Sequence, residues 1–284
     1  MSATAGVDRR ITPARPDVAA AHLRGTVEAD RFVEGERRAV AITSTPLRRE
    51  PRPDLSLDTE LLFGEIFTVY ETDAEGWSWG QAEQDGYVGW LPTVALGITA
   101  PAAATHKIAA LRSFIYPGPD MKLPADGVLA FGSQVAVQAR AGAFAAVESG
   151  YIWAGHLRPI DQFESDAVDV AKRFLGVPYL WGGKTSLGLD CSGLVQTALA
   201  STGRPTPRDS DMQERSLGAP VDLNGPFKRG DLVFWKGHVG LMRNPMTLLH
   251  ANGHTMTVAS EPLADARARI MAAGSGDITS VRRL

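Results

Sequence analysis

Pro159 divides the chain into two kinds of hydrophobic pattern, and that division bounds what the chain can fold into. Before it, short apolar runs of nearly alternating character are broken by turn residues, the period of half-buried strands. After it, Val168, Ala171, Phe174 and Leu175 fall on one helical face, and Gly176 with Pro178 closes the run. Strand-period sequence followed by mixed helix and strand patterning predicts an all-β region and then an α+β domain.

Within the β region, residues 38–43, 65–70, 76–81 and 87–91 read as strands, and Asp85-Gly86 is a hairpin turn signal. Five or so short strands within about 60 residues suggest a small barrel, here spanning residues 37–100. A Pro/Ala spacer, Pro101-Ala-Ala-Ala-Thr105, precedes a second unit over residues 105–160. Its runs at 135–139, 144–148 and 150–154 line up with the strands around Phe67, Trp79 and Tyr87. The tails also echo, Gly86-Tyr-Val-Gly-Trp90 against Gly150-Tyr-Ile-Trp153. Two tandem barrels are therefore expected, with one larger β-sandwich as the competing architecture. Residues 1–36 mix Pro13, Pro16 and several charges with a helix-like run at 18–23, and read as an arm that packs on something else.

The region beyond Pro159 is organised around Tyr179-Leu-Trp-Gly-Gly183 and Asp190-Cys-Ser-Gly193, which hold the chain's single cysteine. Cys191 precedes an apolar helical run that stops at Gly203 and Pro205. A thiol at a helix N-terminus meets the positive end of the macrodipole, which favours thiolate. One cysteine cannot form an intramolecular disulfide, so chemistry or packing must account for it. Strands at 230–235, 238–242, 248–251 and 255–259 follow, and a turn centred on Asn244-Pro245 brings His238 roughly opposite His250. That arrangement suits a base and an orienting partner for a nucleophilic cysteine. A zinc site of Cys191, His238 and His250 is the rival use of the same residues, and the helix-start placement favours covalent chemistry without metal or cofactor.

Bulk properties narrow the partners. A net charge of -3 argues against nucleic acid and against an electrostatic membrane anchor. No run of 18 apolar residues is present for a membrane span, and the first ten residues lack a signal-peptide core, so a cytoplasmic location is the expectation.

The blocks Pro178-Tyr-Leu-Trp-Gly-Gly183, Leu189-Asp-Cys-Ser-Gly-Leu194, Pro207-Arg-Asp-Ser210, Gly230-Asp-Leu-Val-Phe234, His238-Val-Gly-Leu241 and Leu249-His-Ala251 resemble those of an NlpC/P60 cysteine peptidase, in order and spacing, across about 110 residues. The β region resembles a pair of bacterial SH3-like domains. The resemblance implies two all-β SH3-like barrels followed by a papain-like α+β catalytic domain over residues 161–284. It further implies Cys191 as nucleophile, His238 as base, His250 as the third polar residue, and Tyr179 near the oxyanion site. Trp181 and Ser192, flanking or following the same motifs, are carried as substrate-binding candidates.

Chains with two SH3-like domains ahead of the catalytic domain resemble the γ-D-glutamyl-L-diamino acid endopeptidases, which take murein peptides such as L-Ala-γ-D-Glu-diaminopimelate with a free N-terminal alanine. Asp209 and Ser210 match the pair that binds the terminal ammonium in that branch. A helix N-cap is the other role open to Asp209. The resemblance also implies that the first barrel closes the pocket with a tyrosine, for which Tyr87 is the candidate, with Trp79 and Glu50 as alternates. Murein-peptide recycling is the expected role. A hydrolase of polymeric wall and a wall-binding protein with an inactive catalytic domain are the competing readings, and the oligomeric state is not legible.

Overall fold

The computed structural model describes residues 7–97, 102–223 and 225–284. The first six residues of the arm, residues 98–100 at the end of the first barrel as read, and Pro101 of the spacer lie outside the described residues. The chain forms two compact units, Met1–Ile160 and Asp161–Leu284.

The first unit contains two small barrels. In the first, Glu36–Ala39, Ile66–Thr72, Trp77–Ala82 and Val88–Pro92 form an antiparallel sheet in that order. Ser44–Leu47 and Thr59–Leu62 form a second ladder, tied to the sheet by a bridge between Arg48 and Trp90. Gly86 turns the Asp85-Gly86 hairpin at a φ of 76°, a left-handed conformation that costs glycine little. Alternation directs Phe67, Val69, Ala82 and Leu91 inward with Val40, Leu47 and Leu61 as the core.

The second barrel repeats this order of elements. His106–Ile108 pairs with Gln134–Val135 as Glu36–Ala39 pairs with Ile66–Thr72, and Phe144–Val147 pairs with Gly150–Trp153 as Trp77–Ala82 pairs with Val88–Pro92. A short 3₁₀ turn follows each final hairpin strand, at Thr93–Ala95 and Ala154–His156. Each barrel has its own core cluster, which excludes the single β-sandwich. Phe63 packs on the core of the second barrel, and the Gln134 amide donates to the Phe63 carbonyl, so the two barrels are joined directly.

The arm packs on the first barrel. Its helix-like run resolves into a strand, Val18–Ala20, and one 3₁₀ turn, Ala21–Leu23, because Val18–Ala20 pairs in parallel with Arg31–Val33. The Arg15 guanidinium lies 4.5 Å from the centre of the Trp79 ring and 4.8 Å from that of Trp90. Val18 buries against the same two rings.

In the second unit, six strands form one sheet: β1 (Ala219–Pro220), β2 (Leu232–Trp235), β3 (His238–Asn244), β4 (Thr247–Asn252), β5 (Thr257–Pro262) and β6 (Ser280–Arg283). Their order is β1-β6-β2-β3-β4-β5. Among the described residues, four helices accompany it: α1 (Ala167–Lys172), α2 (Cys191–Ser201), α3 (Ser210–Ser216) and α4 (Leu263–Ala272). Helix α2 is buried nearly all round, its polar Ser192, Gln196 and Ser201 included, and packs on β3 and β4. Leu263 and Ala266 of α4 close a separate cluster over Val233, Trp235, Met242 and Leu248.

Candidate active site

Cys191 is the first residue of α2, and the preceding Asp190 caps the helix by accepting the Gly193 amide at 2.6 Å. The other oxygen of Asp190 accepts the Gly182 amide at 2.8 Å, which holds the glycine loop against the helix start. Arg208 completes the support. Its Nη1 donates to Asp190 Oδ1 at 3.0 Å and its Nη2 to Asp190 Oδ2 at 2.7 Å, and the same Nη1 donates to the Ser192 hydroxyl at 2.9 Å. Arg208 is 1% exposed and Asp190 7% exposed, so this is a sealed, bidentate ion pair. A Cβ at Gly193 would meet the Gly183 carbonyl at 2.3 Å, so glycine at that position lets loop and helix approach.

The histidines come from β3 and β4. The strands pair Leu241 with Leu249 and Met242 with Leu248, with an irregularity between Met242 and Asn244. That register sets His250 beside Gly240, two residues from His238, within the rough opposition that the turn position predicts. Residues two apart on a strand share a face, and diagonal neighbours remain within reach of long side chains. The rings meet accordingly, with His238 Nε2 2.8 Å from His250 Nδ1. A side chain at 240 would collide here, since a Cβ there meets Leu248 at 2.8 Å and His250 at 3.0 Å.

The network continues beyond the pair that sequence reasoning identified. His250 Nε2 lies 2.7 Å from Glu261 Oε1 on β5, and Arg269 of α4 donates to both oxygens of Glu261, at 2.7 and 2.5 Å. Neither Glu261 nor Arg269 was legible as a site residue, because the strand signal ends near Ala259, whereas β5 runs on to Pro262. Arg208 was visible only as part of a motif block.

Electrostatics depart from the thiolate expected at a helix start. The backbone amides of Val239 and Ser192 point at the Cys191 sulfur and stabilise its anion, and Val239 is the neighbour of His238. Burial outweighs them, and with the nearby Asp190 carboxylate it pushes the Cys191 thiol up to about 12. Burial also lowers His238 to about 3, reinforced by His250 and Arg269. Both shifts favour a neutral thiol and neutral imidazole in the free protein. His250 is likewise lowered, by burial against the opposing pull of Glu261. The Tyr179 hydroxyl is raised by burial and then by the Cys191 and Asp190 charges, so it stays a proton donor beside the nucleophile.

The remaining candidates divide. Tyr179 is anchored by its amide to the Met256 carbonyl and pairs with Leu189 two residues before the nucleophile. Trp181 on the same loop is 61% exposed. Asp209 sits at the N-cap position of α3, but its carboxylate accepts no bond from the helix amides, so capping does not occupy it. Ser210 follows it as the first residue of α3. Ser192 does not offer its hydroxyl to a substrate: it is buried and bonded to Arg208 and Asp190. Tyr87, just ahead of the strand Val88–Pro92, is buried with Val40, Leu47, Phe67 and Leu91 in the core of the first barrel. The alternate Trp79 is covered by Arg15 and Val18, while Glu50 is exposed.

Comparison with known proteins adds two family matches. Residues 47–96 match the bacterial dipeptidyl-peptidase SH3 domain, and residues 176–271 match the NlpC/P60 family. The chain is 28% identical over 225 residues to a γ-D-glutamyl-L-lysine dipeptidyl-peptidase of Bacillus subtilis, covering 70% of this chain and 73% of that protein. It is 30% identical over 173 residues to a probable endopeptidase of Corynebacterium glutamicum, covering 56% of this chain and 80% of that one. The crystal structure of an NlpC/P60 family protein from Bacillus cereus shares the fold at a TM-score of 0.74 and 20% identity, covering 87% of this chain and 99% of that chain.

Proposed function

The chain belongs to the NlpC/P60 peptidase family, with SH3-like barrels preceding a papain-like α+β domain, and from that premise we propose that it is a cysteine endopeptidase. Its substrate is a murein peptide with a free N-terminal L-alanine, such as L-Ala-γ-D-Glu-diaminopimelate, and it hydrolyses the γ-D-glutamyl bond. The observation that carries the chemistry is Cys191 at the capped start of α2, with the Val239 amide directed at its sulfur and His238 next in the chain.

The reaction follows from these groups. His238 removes the Cys191 proton as the sulfur attacks the γ-glutamyl carbonyl carbon, so the buried charge pair forms only as the substrate reacts. The amides directed at the sulfur stabilise the developing thiolate, and the protonated Tyr179 hydroxyl is the side-chain donor for the carbonyl oxygen. The imidazolium returns its proton to the leaving amine, which departs and leaves a thioester. Water, deprotonated by His238, then releases the γ-glutamyl peptide and regenerates the thiol.

Substrate choice is the finer part of the reading. A carboxylate at Asp209 suits a primary ammonium, because a charge-assisted hydrogen bond is about twice as strong as a neutral one. The name of the Bacillus subtilis relative points the same way. Peptides with a free amine are the products of wall breakdown, which fits a recycling role in the cytoplasm. The test is mass-spectrometric analysis of products from the tripeptide: free diaminopimelate and L-Ala-D-Glu are expected, and none from Cys191→Ala. Release of soluble fragments from intact sacculi instead would favour the wall hydrolase.

A further inference from the structure

We infer that Glu261, clamped by Arg269, is the positioning residue that sets the tautomers of both histidines and so selects Nδ1 of His238 as the atom that takes the cysteine proton. The inference rests on reading His238 as the base. It follows from counting donors along one chain of contacts.

Arg269 has only N–H donors and engages both oxygens of Glu261, so that carboxylate is held as an acceptor. The Arg269 guanidinium also keeps Glu261 below the usual carboxylate range. Glu261 Oε1 is 2.7 Å from His250 Nε2, and an ionised carboxylate cannot donate, so the proton on that bond belongs to His250 Nε2. A neutral imidazole carries one N–H, which leaves His250 Nδ1 a bare lone pair. His238 Nε2 faces that lone pair at 2.8 Å and must therefore carry the proton of the second bond. Neutral His238 then has its lone pair at Nδ1. Every step is forced by the first, because Arg269 cannot accept.

Without the carboxylate the direction of the relay is no longer determined. His250 can then bear its proton at Nδ1 and donate to His238 Nε2, which places the His238 proton on Nδ1 and removes the base. Burial makes the assignment matter, since His250 is 0% exposed and water does not compete for its nitrogens. The relevant side chains come from β3, β4, β5 and α4, with Glu261 diagonal to His250 across the β4–β5 ladder, where Ala259 is its direct partner.

The experiment is NMR of ¹⁵N-histidine-labelled protein, in which protonated and bare ring nitrogens are resolved by chemical shift, combined with steady-state kinetics on the tripeptide. For the unmodified protein, both His238 and His250 should show N–H at Nε2 and a bare Nδ1. In Glu261→Leu a mixture of tautomers is expected, with kcat lowered about 10- to 100-fold and KM within about twofold, a loss of part of general-base catalysis. Glu261→Asp should restore the single tautomer in part, and Arg269→Met should show an intermediate loss. A Nδ1–H on His238 in the unmodified protein would overturn the inference without any variant being needed. So would a folded Glu261→Leu protein in which both histidines still carry N–H at Nε2 alone and kcat is unchanged. The tautomer readout needs no substrate, so it stands apart from failure of the proposed peptidase activity.

Discussion

Arg208 and Asp190 form a bidentate ion pair sealed from water, 18 residues apart in sequence, that ties the entry of α3 to the cap of the nucleophile helix. Removing one partner of a buried pair leaves the other charge uncompensated, at a cost of about 3–5 kcal/mol. Arg208→Met should therefore lower the urea midpoint by that equivalent and abolish activity. Arg208→Lys keeps charge but loses the planar fork, and should fall between. Unchanged denaturation in Arg208→Met would refute the role assigned to the pair.

Gly240 gives a second test, of packing. Its Cβ-free backbone is what allows His250 to sit beside β3, since an added methyl meets His250 and Leu248 at or below 3.0 Å. Gly240→Ala should cost about 1–3 kcal/mol of stability, the usual price of overpacking. It should also cut kcat by displacing His250. A fully active Gly240→Ala protein would show that the second histidine need not be placed so closely.

The buried thiol and imidazole make stability depend on pH in two windows. His238 is held near 3 against an ordinary 6.5, so between those values the unfolded chain binds a proton that the folded chain refuses. Its contribution is present above 6.5 and lost as pH falls toward 3. Cys191 is raised from 9.0 to about 12, so its contribution is present below 9.0 and lost as pH climbs toward 12. Thermal midpoints across pH should show His238→Phe flattening the acid limb and Cys191→Ala the alkaline limb. A Cys191→Ala profile that parallels the parent above pH 9.0 would contradict the raised thiol.

Asp209→Asn removes the charge proposed to meet the substrate ammonium while keeping the shape of the side chain. KM for the free-amine tripeptide should rise roughly 10- to 100-fold, the loss of one charged hydrogen bond of about 1.5–3 kcal/mol. No cap bond to α3 is lost with the carboxylate, so the effect should fall mainly on KM. A matching loss of stability with unaltered KM would assign Asp209 to the fold instead.

Local signals made the core of the site legible and left its surroundings hidden. Cys191, His238 and His250 lie in motifs whose spacing fixes helix start and strand ends, and the structure brings the two rings together. The strands Ser44–Leu47, Thr59–Leu62 and Arg112–Tyr116 gave no clear period, because they are short and Pro46 interrupts the first, while partners elsewhere in the sequence complete the ladder. Glu261 and Arg269 were invisible for the same reason: they matter only through register and the position of α4. At Tyr87 the local sequence is silent, since an aromatic after a turn reads the same whether it faces a ligand or a core. The thiolate expectation weighed the helix dipole without the burial that opposes it.

The central claim, a peptidase that recognises a free N-terminal amine, is tested most directly by comparing kcat/KM for L-Ala-γ-D-Glu-diaminopimelate and its N-acetylated form. Acetylation removes the charge that Asp209 is proposed to meet, so the free peptide should be preferred by at least about tenfold. In Asp209→Asn that preference should largely vanish. Equal cleavage of both peptides by the unmodified protein would contradict the account.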